Sequence, residues 1–292
     1  MNTRTLRIGY SPCPNDTYIF HALAEGLVKA DGLDFDVRLA DVEVLNGWAA
    51  SGEVDVCKVS AAAAAELSAD WVLLRCGGAM GRGVGPVLVA PPALVEKEGE
   101  GVESVRNLDG ARVAIPGRRT TANLVFGLLC RELGIEAERV ELVFDEIMPA
   151  VNAGSMAAGV VIHEGRFTFA QYGLARMLDL GGWWEAHSGL PIPLGVIAVR
   201  RDLGEDIARK VEALIRASLL HARAHPEDSR EYTKGHAQEM DDAVIAEHIA
   251  MFVTDYSLDV GAEGANALTA LLREAANLDG RKLARNDVFL ID

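Results

Sequence analysis

Residues 159–167 read Gly-Val-Val-Ile-His-Glu-Gly-Arg-Phe, so an apolar run ends in an imidazole, a carboxylate and a guanidinium at His163, Glu164 and Arg166. An imidazole titrates near neutrality and suits proton removal from a substrate. An apolar run bounded by glycine and lacking alternation reads as a strand buried on both faces. In open α/β sheets, ligands gather outside the carboxyl ends of such strands. His163 therefore stands where chemistry is usually found. The local residues fit equally a histidine satisfied by a backbone carbonyl at a strand end.

The elements that must position these residues follow a repeated grammar. Leu6–Tyr10 is expected as a strand entering Ser-Pro-Cys-Pro-Asn-Asp-Thr, with helical apolar spacing from Tyr18 to Leu27. Two prolines fix that loop, and Asn15 or Asp16 either caps the helix or meets a ligand. Asp34–Ala40 alternates as a strand, Val44–Ala50 reads as a helix, and Glu53–Val59 is a strand ending in Cys-Lys-Val-Ser. Ser60 is then the expected N-cap of an alanine-rich helix, Ala61–Leu67.

The next third repeats this: strand Ala111–Ile115, loop Pro116–Thr121, helix Ala122–Leu133, strand Val140–Phe144, short helix Ile147–Asn152, and strand Ala157–Ile162 carrying His163. Both units have an Asp after the second strand (Asp41, Asp145) and a Gly after the short helix (Gly52, Gly154), a duplication of about 50 residues. Two such α/β lobes facing each other would surround one cleft with polar strand tips. Gly83–Ala90 and Pro191–Val199 read as paired crossover strands, giving a first lobe of residues 1–90 plus 200–292 and a second of 91–199. The glycines from Gly77 to Gly85 precede a strand and are followed by no Gly-Lys-Ser/Thr, which sets aside a phosphate loop. Trp183 and Trp184, in a Gly-flanked loop, fit packing at a lobe edge or stacking on an aromatic ligand. Beyond Gly204 the spacing turns helical, over Glu205–Ala224, Pro226–Glu239, Asp241–Phe252 and Val260–Leu278.

Composition narrows the classes. With 28 basic against 43 acidic residues the formal net charge is -15, which argues against a nucleic-acid partner. No segment reaches the apolar length that spans a bilayer and the amino terminus lacks a signal-peptide core, so a cytoplasmic location without a membrane partner is expected. Cys13, Cys57, Cys76 and Cys130 show no Cys-x-x-Cys spacing, which leaves buried thiols. His221, His225, His236 and His248 read as surface or packing histidines, with no acid to complete a metal site, so no metal is expected.

Taken in order, Ser-Pro-Cys-Pro-Asn-Asp-Thr, Asp-Val-Glu-Val-Leu-Asn, Cys-Lys-Val-Ser, Gly-Arg-Gly-Val-Gly-Pro, Pro-Gly-Arg-Arg-Thr-Thr and Ile-His-Glu-Gly-Arg-Phe-Thr resemble the 1,4-dihydroxy-6-naphthoate synthases of the futalosine route to menaquinone, from about residue 6 to about residue 260. The resemblance implies an α/β, two-lobed, periplasmic-binding-protein-like (type II) fold with two crossover strands and a helical C-terminal segment. It implies a carbon-carbon lyase that cleaves cyclic dehypoxanthine futalosine to 1,4-dihydroxy-6-naphthoate and dihydroxyacetone. His163 would be the base, and Lys58, Val59, Ser60, Thr120 and Thr121 would contact substrate. Asn15, Asp16 and Arg166 are further candidate contacts, and the roles of Glu164 and Arg166 stay open between touching substrate and bracing His163. Arg119 stands where the family often has histidine, and Val59 where leucine is commoner.

The residues agree with these roles. Thr120 and Thr121 open a helix, whose dipole and free amides favour an anion such as an aryl carboxylate. Expelling a three-carbon unit while an aromatic ring forms moves protons but no net electrons, so no cofactor is required. A solute-binding protein would call for an export signal or a lipidated cysteine, and a regulator's effector domain for a helix-turn-helix before Leu6. A cytosolic small-anion binding protein and the chorismate-derived dehydratase of the same pathway are the remaining rivals. An assay with either enzyme's substrate separates the two enzymes.

Overall fold

Buried apolar runs alternate with amphipathic ones, and the chain realises them as strands alternating with helices. The computed structural model describes residues 3–290 except 31, 238–240, 279, 281 and 286. Two compact units form, Met1–Gly81 with Pro193–Asp292, and Arg82–Ile192.

The first unit opens with β1 (Arg4–Tyr10), α1 (Pro14–Ala24), β2 (Leu33–Leu39), α2 (Val42–Ser51), β3 (Val56–Ser60), α3 (Ala64–Leu67), β4 (Trp71–Leu73) and β5 (Ala79–Gly81). The second holds β6 (Val87–Ala90), α4 (Pro92–Glu98), β7 (Arg112–Ile115), α5 (Thr121–Leu133), β8 (Glu138–Glu141), α6 (Phe144–Asn152), β9 (Ala158–Val161), α7 (Gly165–Thr168), β10 (Ala175–Asp179) and α8 (Leu180–Ser188). The chain then returns to the first unit through β11 (Ile192–Arg200), α9 (Glu205–Ala224), α10 (Arg230–His236), α11 (Asp242–Phe252), α12 (Asp255–Leu258) and α13 (Gly261–Leu278).

The two sheets share one plan. The first has strand order β2-β1-β3-β11-β4, with β5 also on β11, and the second has order β8-β7-β9-β6-β10. β1 runs parallel to β2 and β3, and β7 parallel to β8 and β9, as strands joined through crossover helices must. β11 lies antiparallel on β3, and β6 antiparallel on β9. The two crossing runs, one leaving the first unit and one returning to it, thus join different sheets. Each adds to the open edge of a different sheet, where unpaired backbone groups wait. The run Val87–Ala90, assigned to the first lobe, belongs to the second unit's sheet, and residues 195–199, assigned to the second, pair within the first unit's sheet.

Apolar packing holds each sheet to its helices. In the first unit Ile8, Tyr10, Ile19, Phe20, Val211, Ile215 and Leu219 form one cluster, joining β1 to α1 and α9. In the second, Val87, Val89, Ala114, Ile147, Met148 and Val151 join the sheet to α6. Among the described residues no helix is long and apolar enough to cross a membrane.

Several local expectations change. α1 starts at Pro14, because proline suits the first helical position, so Asn15 and Asp16 sit inside the first turn and do not cap it. Ser60 caps no helix: the amide of Ala61 donates to Leu194 O, which prolongs the strand pairing, and α3 begins only at Ala64. Trp183 and Trp184 lie on helix α8, whose N-cap Asp179 accepts from the Gly182 amide at 3.0 Å. Burial of Trp184, whose Nε1 donates to Pro191 O at 3.2 Å, outweighs the poor helix propensity of Gly181 and Gly182. In the expected helix Pro226–Glu239 the ordered turns run from Arg230 to His236, and residues 238 and 239 lie outside the described ones. Asp228 sits 3.0 Å from His221 Nε2, an acidic neighbour that the spacing did not suggest.

One charged pair ties three strands together. Asp55, just before β3, accepts from the Arg7 amide at 2.9 Å and from Arg7 Nη2 at 2.8 Å, while its carbonyl accepts from the Arg200 amide at 3.1 Å. The hydrogen bond from Arg7 holds the Asp55 carboxyl below the usual carboxylate range. A depressed folded-state pKa means stabilisation that is complete above the unfolded value of 3.8 and lost as pH falls through the folded value. Asp55→Ala should therefore lower the unfolding free energy by about 1–3 kcal/mol at neutral pH. Urea unfolding of both proteins should show that gap closing below pH 3.8, and a gap independent of pH would contradict the assignment.

Candidate functional site

In the first unit the polar tip of β3 is built around a buried ion pair. Alternation along the strand puts Lys58 and Ser60 on one face and Val59 on the other. Lys58 Nζ donates to Asp16 Oδ1 at 2.7 Å and to Gly77 O at 3.0 Å. The two side chains are only 5% and 3% exposed, so each charge depends on the other. Asp16 also accepts from Asn15 Nδ2 at 2.7 Å, from the Ser11 amide at 3.2 Å and from Ser11 Oγ at 2.8 Å. On the neighbouring β11, Gly195 leaves the room this needs, since a Cβ there would meet Lys58 Cε at 2.8 Å.

Ser60 is held by Asn46 of α2. The Ser60 amide donates to Asn46 Oδ1 at 2.9 Å, and Asn46 Nδ2 donates to Ser60 Oγ at 3.1 Å and to Glu43 Oε2 at 3.1 Å. The Ser60 hydroxyl thus accepts from Asn46 and keeps its own proton to donate. Val59, at 0% exposure, offers no accessible side chain. Burial pushes the thiol of Cys57 up, that of Cys76 up to about 12 and that of Cys130 up to about 11, so these cysteines are neutral packing groups.

In the second unit β9 ends at Val161, and two residues later His163 has φ 54. Among the described residues it is the one non-glycine with positive φ, a conformation that costs of order 1–3 kcal/mol. The turn closes with Gly165 donating to Ile162 O at 3.1 Å. A Cβ on Gly165 would lie 2.3 Å from Val161 Cγ1, so the chain can reverse this tightly only with glycine. The His163 ring meets Phe144 edge to face, with centroids 5.3 Å apart. Beside it, Glu164 Oε2 is buried without a hydrogen-bond partner.

Arg166 is committed elsewhere. Its Nη1 donates to Gly85 O at 3.0 Å and to Asp179 Oδ1 at 3.2 Å, and its Nη2 to Gly83 O at 3.2 Å and to Asp179 Oδ2 at 2.5 Å. It pins the 83–85 loop against the start of α8, where backbone approaches so closely that a Cβ on Gly181 would lie 1.8 Å from Val84 O.

Thr120 is the N-cap of α5. Its Oγ1 accepts from the Asn123 amide at 3.1 Å and donates to Gly117 O at 2.7 Å, which uses both roles of the hydroxyl. Thr121 follows as the first helical residue, at 3% exposure. Among the described residues no group of three or more His, Cys, Asp or Glu is positioned to hold a metal ion.

The structure therefore brings Asn15, Asp16, Lys58 and Ser60 together in one unit, and His163 and Arg166 on one turn of the other. Asn46, Asp179 and His248, which the sequence reading left without a site role, hold Ser60, Arg166 and Asn15 respectively. Asn46 had a signal, as the last residue of the Asp-Val-Glu-Val-Leu-Asn segment. Asp179 and His248 had none, being partners distant in sequence.

Residues 6–277 match the family described as Menaquinone biosynthesis. A 1,4-dihydroxy-6-naphthoate synthase from Thermus thermophilus is 46% identical over 270 residues, covering 92% of this chain and 93% of that protein. Its counterpart from Streptomyces coelicolor is 45% identical over 278 residues, covering 94% of each. Among solved structures, a protein from Archaeoglobus fulgidus superposes with a TM-score of 0.82 at 35% identity, over 94% of this chain and 98% of that one. The alkanesulfonate-binding protein from Xanthomonas axonopodis pv. citri, bound to MOPS, superposes with a TM-score of 0.68 at 14% identity, over 99% and 97%. At that identity the likeness concerns the fold alone, and the fold class is that of type II periplasmic binding proteins.

The buried pair sets an energetic expectation. Removing one partner strands the other charge, so Lys58→Met or Asp16→Leu alone should cost about 3–5 kcal/mol of stability. The double variant, with no charge left behind, should recover much of that loss. A double-mutant cycle by denaturant unfolding measures it, and additive losses would show that the two charges are not coupled.

Proposed function

The chain belongs to the menaquinone-biosynthesis family, among its 1,4-dihydroxy-6-naphthoate synthases, and on that premise we propose that it cleaves cyclic dehypoxanthine futalosine to 1,4-dihydroxy-6-naphthoate and dihydroxyacetone with His163 as general base. The observation that carries this is the backbone of His163. A left-handed residue at the end of a buried strand, followed by a glycine that nothing larger could replace, is strain kept at one point of the chain. Strain of this kind clusters at active sites, which supports a working role for this imidazole.

The chemistry is balanced without a co-reactant. His163 takes a proton from the substrate, the carbon-carbon bond to the three-carbon unit breaks with its electron pair leaving on that unit as an enediolate, the enediolate takes up a proton to become dihydroxyacetone, and the carbonyl left on the ring enolises as the second ring becomes aromatic. The substrate's carboxylate would be met by Thr121 and the first-turn amides of α5, where the helix dipole favours an anion. Thr120 would serve that site as the cap that holds the helix start. Ser60 would donate its remaining proton to the substrate, while Lys58 and the backbone of Val59 set the tip of β3. Arg166 would brace the His163 turn through Asp179 and stay clear of the substrate.

The test is direct. Purified protein incubated with cyclic dehypoxanthine futalosine should release the naphthoate and dihydroxyacetone in equal amounts. Substrate recovered intact, under conditions in which the Thermus thermophilus enzyme converts it, would overturn the reading.

A further inference from the structure

His248 lies on α11, far along the chain from Asn15, Lys58 and His163, and is 1% exposed. Its Nε2 is 2.9 Å from Asn15 Oδ1. Asn15 Nδ2 is in turn 2.7 Å from Asp16 Oδ1, and Lys58 Nζ is 2.7 Å from the same oxygen.

Donor and acceptor rules fix the direction of this chain. A carboxylate only accepts, so Asn15 must turn its amide nitrogen to Asp16 and its carbonyl to His248. The proton between His248 and Asn15 therefore belongs to His248 Nε2. The imidazole thus determines which way the Asn15 amide faces, and the amide supplies one of the two donors on the oxygen that also receives Lys58. Without that donor the buried Asn15 carbonyl loses its partner, and a rotated amide would turn oxygen toward the carboxylate. Lys58 would then face an acceptor with altered solvation at the tip of β3.

We propose that His248, as an Nε2–H donor acting through Asn15 and Asp16, is a positioning residue for Lys58 and so for the substrate-binding end of β3. It touches no substrate. The inference deepens the proposed function and rests on it, because the Lys58 to Ser60 segment matters only if it serves the substrate. A packing histidine would instead need only to fill its volume beside Phe252, whose ring centroid is 4.7 Å away.

Two measurements on the full chain separate these roles. In the first, steady-state kinetics compare wild type with His248→Met, which keeps bulk but removes the donor, and His248→Gln, whose amide can donate from nearly the same point. Loss of one net hydrogen bond predicts a rise in KM of about 3- to 10-fold for His248→Met, with kcat within about twofold, and recovery in His248→Gln. An unchanged KM with a lowered Tm would overturn the proposal, as would failure of a folded His248→Gln to recover. The second needs no variant: nitrogen-15 spectra of the wild-type protein should show His248 protonated at Nε2, and a proton confined to Nδ1 would overturn the proposal even if His248→Met does not fold. Turnover by the wild type reads the proposed function independently, so failure of that reading and failure of this one are distinguishable.

Discussion

The pairing of Lys58 with Asp16 inside the first unit constrains much of what surrounds it. A buried ammonium and a buried carboxylate each cost several kcal/mol to desolvate, and only good geometry with further hydrogen bonds offsets that cost. The chain supplies those bonds from separate segments: Ser11 after β1, Asn15 in α1 and the Gly77 carbonyl ahead of β5. Gly195 on β11 follows from the same need, because any side chain there would displace Lys58. Loop, helix start and strand tip are thus held in one arrangement by a charge that none of them could bury alone.

The second unit uses the same strand order for a different local solution. There the tip of the third parallel strand carries no buried charge pair but a left-handed histidine, kept in place by a glycine-tight turn and by the Phe144 ring. The nearby guanidinium is taken up by Asp179 and two loop carbonyls, which makes it a clamp on backbone. Scaffolds of one strand order thus carry different side chains at equivalent ends, since tips and loops can vary while the sheet and its helices stay the same.

Much of this was legible in the sequence because it is local. Period and punctuation revealed the strand–loop–helix order, the matched halves and helix α9 to the residue. The family motifs led to the same fold class that the structural neighbours have. What was not legible depends on partners distant in the chain. Ser60 reads as a helix cap until Leu194 is known to continue its strand pairing, and Trp183 and Trp184 read as loop until burial is weighed against two glycines. Local residues likewise left the role of Arg166 open and gave no sign of its ion pair with Asp179. His248 was read as surface or packing because nothing near it in sequence shows that it faces Asn15.

The claim that most depends on measurement is that His163 removes the substrate proton. Asparagine is the side chain to use, because it tolerates the left-handed backbone better than most residues and cannot act as a base. Single-turnover rates and product affinity should be measured side by side for the wild type and His163→Asn. A fall in the chemical step of about 10²-fold or more, with product affinity within a few-fold, is the expected result for loss of a general base. Near-normal single-turnover chemistry in a folded His163→Asn would return this histidine to a structural role and locate the base elsewhere.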